Sequence, residues 1–71
     1  MYLIQGRRWN PDDAGFDEVV SAAHATHLRP LCLCLVKGVE MYVARLGDGY
    51  LIKRMPYTGS HHAPDCPSYE P

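Results

Sequence analysis

The 71-residue sequence lacks a long hydrophobic run. Its longest, Leu31–Val36, falls far short of the ~20 apolar residues of a membrane-spanning helix. The opening MYLIQGRRWN lacks the basic start and apolar stretch of a secretory signal, so a cytoplasmic chain is expected. Charge of one sign is also missing. Seven basic residues face eight acidic ones, for a net charge of -1. Bulk electrostatic adhesion to nucleic acid or membrane is therefore not expected. There is no internal repeat or low-complexity segment. Nor is there a nucleophile elbow, an H-E-x-x-H pair or a glycine-rich cofactor fingerprint. Gly47-Asp48-Gly49 lacks the spacing of a phosphate loop and reads as a hairpin turn. A non-enzymatic protein is expected.

Hydrophobic residues make up 46% of the chain and charged residues 21%, which suits a folded chain rather than a disordered one. One domain spanning 1–71 is expected. A core this small contributes little net stability, and domains of this size often add a disulfide, a metal or a partner. MYLIQ reads as a strand stopped by Gly6, and GRRW as a turn or a second extended piece. The stretch 10–28 reads as one helix. Asn10 suits the N-cap and Pro11 the first turn, with Gly15 as an alternative start. Phe16, Val19, Val20, Ala23 and His27 share a face, and Arg29-Pro30 ends the helix. After Pro30 the period changes to two. LCLCLV, VEMYVARL and YLIKRM read as a three-stranded antiparallel meander over 31–55. Leu31, Leu33 and Leu35 then point to one face, as the bed for the helix, and Cys32, Cys34 and Val36 to the other. Residues 56–71 read as an irregular tail. The fold class is α+β: one helix on a three- to four-stranded antiparallel sheet.

The three cysteines carry the chemistry. An extended Cys32–Cys34 pair holds its Cα atoms about 6.6 Å apart, near the upper limit for a disulfide. Any single disulfide also leaves one thiol over. Reduced thiols beside histidine point to metal. Cys32 and Cys34 supply one pair, and His62 and Cys66, four apart in HHAPDC, supply the other. Zinc favours four tetrahedral ligands of this kind, and such closed sites are structural. The metal would staple the tail to the sheet. His61 is the rival to His62, and the H-x3-C spacing favours His62. His24 and His27 read as a half-exposed helix face.

These residues also resemble a known signature. The blocks R-P-x-C-x-C, M-Y-[VI]-A-[RK], K-R-M-P-x-T-G and H-x3-C-x-S-Y-E-P are present at Arg29–Cys34, Met41–Arg45, Lys53–Gly59 and His62–Pro71. They look like the N-terminal signature of an uncharacterised, domain-of-unknown-function family of bacterial plasmid and integrative-element proteins. The resemblance selects the same four ligands. Family members are longer, with a large region after SYEP, so an excised N-terminal module or a free-standing small protein is expected.

The expected function is protein–protein binding by a small zinc module of a mobile element. Its partner would be a host defence complex, as for anti-CRISPR inhibitors. Trp9, Tyr42, Arg45, Lys53, Arg54 and Tyr57 are the candidate contact residues, since aromatic and arginine side chains are enriched at interfaces. The alternative is a nucleic-acid-binding zinc module for plasmid transfer or maintenance, which needs Arg7, Arg8, Arg45, Lys53 and Arg54 on one face.

Overall fold

The computed structural model describes residues 1–71. It places one helix on a five-stranded antiparallel sheet, one strand more than the sequence predicts. The strands are β1 (Tyr2–Ile4), β2 (Arg7–Trp9), β3 (Leu31–Cys32), β4 (Val39–Leu46) and β5 (Gly49–Arg54), in the order β2-β1-β3-β4-β5. The helix α1 spans Phe16–Ala25.

The extra strand comes from GRRW. Gln5 and Gly6 both have positive φ, 52° and 76°, and Ile4 pairs directly with Arg7. Two such residues form the primed turn that matches the twist of a hairpin, so β2 folds back on β1. The Gly47-Asp48 loop does the same between Leu46 and Gly49, with Gly47 at φ 59°.

The helix is shorter at both ends than the sequence pattern predicts. The Asn10 N–H donates to Asp13 Oδ2 at 2.9 Å, closing a separate turn, and Gly15 at φ 86° resets the chain before Phe16. Asn10 therefore caps nothing in α1. At the other end, Leu28 N–H donates to the Ala23 carbonyl and His27 N–H to that of His24. This is the Schellman arrangement, with His27 at φ 56° in the position glycine usually fills. The helix thus stops before Arg29-Pro30, and His27 lies off its apolar face.

The leucines are not the bed of the helix. Strand register puts Trp9, Tyr2, Ile4, Cys32, Val39, Met41, Val43, Tyr50 and Ile52 on one face. Val20 and Ala23 of α1 pack there against Ile4 and Trp9, flanked by Val43, Tyr50 and Ile52. A second buried group, Cys32, Val39 and Met41, sits beside it on the same face. Leu31 belongs to the opposite face, paired with Leu3 and Glu40. The tail residues 56–71 carry a single helical turn, Gly59–His61, and otherwise run as bends and turns. Helix and tail therefore share one face of the sheet. No helix is long and apolar enough to cross a membrane.

Candidate metal centre

The sequence pattern extends the strand through Val36, but β3 ends at Cys32. The reason is the second thiol. Side chains two apart on a flat strand stay about as far apart as their Cα atoms, ~6.6 Å. Here the chain turns after Cys32, and the ligand atoms of Cys32, Cys34, His62 and Cys66 all lie within 4.8 Å of one another. The alternation read into LCLCLV is broken by the geometry a chelating pair needs. Leu35 packs against the Cys32 group instead, and the Leu35 carbonyl accepts from Gly38 N–H in the turn into β4.

Three of the separations match a tetrahedral ion. A tetrahedral ion with bonds of about 2.3 Å to sulfur and about 2.0 Å to nitrogen sets S···S near ~3.8 Å and S···N near ~3.5 Å. Cys32 Sγ lies 3.8 Å from Cys66 Sγ. His62 Nδ1 lies 3.4 Å from Cys34 Sγ and 3.7 Å from Cys66 Sγ. With the whole set inside 4.8 Å, these four side chains could hold a metal ion.

Each ligand is placed by a different local device. Cys32 is held by its ladder pairing to Tyr2 and Val39. Cys34 accepts a hydrogen bond from the Ala63 N–H at 3.4 Å, so the tail reaches the first pair through backbone as well as ligands. A turn from Ala63 to Cys66, closed at 2.9 Å, brings His62 and Cys66 to one side. His62 is buried, while His61 is exposed and outside the set, which resolves the choice between them. His62 Nε2 is buried without a hydrogen-bond partner, so packing rather than an outer hydrogen bond orients the ring.

Electrostatics divide the thiols. Burial pushes Cys32 up to about 11, helped by the neighbouring thiols. Burial also acts upward on Cys34, but the Ala63 amide and the contacts with Cys32 and Cys66 outweigh it, and its pKa falls. His62 is lowered by burial, then by Arg54 and His61, which favours the neutral, metal-binding ring. A cation at the centre would offset the upward pull on Cys32. Tyr2, packed against both buried groups, is raised by burial and by Cys32 and Cys66.

The tail is also fastened outside the centre. Arg54 bonds Glu70 Oε2 at 2.6 Å and the Ser68 carbonyl at 3.1 Å. The Glu70 N–H donates to the Gly59 carbonyl. A Cβ on Gly59 would lie 2.7 Å from Glu70 Cβ, so only glycine fits there. The Ala63 donor, the Gly59 contact and the packing of Met41 beside Cys32 were not legible as site features. A backbone donor leaves no mark in residue type, and the other two depend on tertiary approach.

The candidate contact residues scatter. Trp9 is buried in the core with Arg7 stacked 4.2 Å over its ring, so it offers packing rather than contact surface. Tyr42 and Lys53 are cross-strand partners on the face away from the helix, whereas Arg45 and Arg54 belong to the helix-bearing face. Tyr57 stands free at 98% exposure. Of the other basic residues, Arg8 shares the face of Lys53, and Arg7 that of Arg45 and Arg54.

Fold and site together define a small α+β domain organised around a Cys3His cluster able to hold a metal. The chain belongs to the family described as Protein of unknown function (DUF1173), whose model matches residues 2–71. No curated protein and no solved structure gave a match.

Proposed function

We propose that this chain is a zinc-stapled, non-enzymatic protein-binding module of bacterial mobile elements. In this reading it works in the cytoplasm against a host defence complex, as an anti-CRISPR-like inhibitor. The observation that carries the zinc reading is the convergence of three thiols and one imidazole within 4.8 Å, with three of the separations at 3.4–3.8 Å. Thiolate-rich, four-ligand sites suit zinc, and a full ligand set leaves no open position for a substrate or an activated water. That supports a structural rather than a catalytic metal.

Protein binding is supported by Tyr57. Its ring is fully in solvent and its backbone is held at φ 63°, a conformation costly for a bulky side chain. The Thr58 N–H and hydroxyl both donate to the Met55 carbonyl, which fixes this turn. An aromatic ring held outward by a strained turn serves recognition better than stability. The mobile-element setting and the defence target rest on the resemblance of the four sequence blocks. Division of the five basic residues between two sheet faces favours a protein partner over nucleic acid, which needs one converging patch.

The test is capture from bacterial lysate with tagged, metal-loaded protein, beside Tyr57→Ala. The expected result is one defence complex, recovered less well by Tyr57→Ala, with the melting temperature of the variant unchanged. Recovery of no partner by either protein overturns the reading.

A further inference from the structure

We infer that the outer edge of β5, with the groove between it and α1, binds an extended cationic peptide segment that joins the sheet as a sixth strand. The inference rests on the protein-binding reading and names the surface and the chemistry of the partner.

The backbone supplies the first argument. β5 is the last strand in the sheet order. Leu46 and Gly49 close a two-residue turn as a hydrogen-bonded pair, so the ladder to β4 uses residues 49, 51 and 53. The N–H and C=O of Tyr50 and Ile52 then face outward. The phase agrees with β4, where Met41, partner of Arg54, turns its N–H away from β5 to the Pro30 carbonyl. No backbone bond from Tyr50 or Ile52 goes to a loop or to the tail. The edge carries no proline or bulge, and its charged residues, Lys53 and Arg54, fall at the end of the strand, beyond Tyr50 and Ile52.

The second argument is shape. A groove of about 620 Å³ runs between α1 and β5, with Phe16, Val20, Ala25, Tyr50 and Ile52 among its lining. Strand addition couples main-chain pairing to pockets for alternate side chains, and this groove lies where every second side chain of an added strand would fall. Behind it, the His24 ring lies 4.9 Å from the Tyr50 ring, tilted by 47°.

Charge selects the occupant. Asp17, Glu18 and Asp48 line the groove, and no lysine or arginine does. Asp17 and Glu18 also suit the helix N-terminus, but Asp48 arrives from the β4–β5 turn and has no such role. A second copy of this chain would bring the same acidic rim against itself. A segment alternating apolar residues with lysine or arginine is complementary in both backbone and charge.

The test uses isotope-labelled, metal-loaded protein and three synthetic ten-residue probes. The first alternates valine with lysine, the second replaces lysine by glutamate, and the third is the lysine peptide with N-methylated valines. The lysine peptide is expected to shift resonances of Gly49–Arg54 and of the facing side of α1, and to slow exchange of the Tyr50 and Ile52 amides. Neutralising the rim with Asp17→Asn and Asp48→Asn should weaken it about tenfold, as exposed charge pairs allow. The N-methylated peptide should not bind. Equal binding of lysine and glutamate peptides, or no binding of either, overturns the inference. So does concentration-dependent pairing of β5 with itself. Shifts confined to Leu3, Leu31 and Tyr42 would also overturn it, yet leave the protein-binding reading standing.

Discussion

Stripping the metal should unfold the domain rather than loosen one end of it. Only nine of the 71 residues are buried; two of these, Cys32 and His62, belong to the candidate centre, and Val39 and Met41 form the wall behind it. Cys34 and Cys66 pack against the same wall. Typical net stability of ~0.05–0.15 kcal/mol per residue gives about 4–11 kcal/mol for a chain of this length. Structural zinc in small peptides contributes ~10–16 kcal/mol at neutral pH, most of it as folding free energy. A zinc staple at this centre would therefore match or exceed the whole net stability. The assay is far-UV circular dichroism and amide exchange during titration with a strong chelator at pH 7. Loss of the sheet signal and of protection in β4 is expected, with recovery on adding zinc. Even a loss of only ~3 kcal/mol would lower the melting temperature by at least about 12 °C in a domain of this size. A chelated chain that melts cooperatively within about 5 °C of the loaded one refutes the argument.

The other expectations concern single groups. Met41 is 1% exposed between the sheet and the centre. Met41→Ala should cost about 2–5 kcal/mol, read by chemical denaturation of the loaded protein, and a cost below ~1 kcal/mol would show that the wall is not packed. Gly59→Ala pushes a methyl into Glu70 and should cost about 1–3 kcal/mol by the same measurement, while freeing the Arg54–Glu70 pair. Acid should release the tail. His62 lies below its ordinary value of 6.5, so as pH falls through that value the unfolded chain takes up the proton first. Its contribution is complete above about 6.5 and is lost below. Proton competition for the thiolates acts in the same direction, and the need to deprotonate Cys32 makes loading stronger as pH rises. Thermal melts of the loaded protein between pH 5 and 8 should fall on the acid side. A melting temperature that rises on acidification contradicts this sign.

Period-two strands were readable where one face is buried and the turn chemistry is explicit. Val39–Leu46 and Gly49–Arg54 match VEMYVARL and the core of YLIKRM for that reason. The four clustered side chains were readable because His62 and Cys66, in a polar, proline-flanked loop, have little packing role and call for partners such as Cys32 and Cys34. What failed was local pattern overridden by tertiary demand. LCLCLV alternates, yet Cys34 must turn toward His62 and breaks the strand. The helical pattern runs on to His27, yet Leu28 is pulled back onto Ala23 and closes the helix early. Trp9 looked like surface in a short polar segment, but the Gln5-Gly6 turn folds it over the core. The β5 edge and its groove have no signal in residue type, since both arise from strand order.

The central claim is that Cys32, Cys34, His62 and Cys66 hold one zinc that fixes the tail to the sheet. Native mass spectrometry of the purified protein beside Cys34→Ser tests it most directly. The account predicts one zinc per chain, with the thiol protons displaced, and loss of both metal and fold in the variant. A metal-free chain with three protonated thiols and a native charge-state distribution would contradict it.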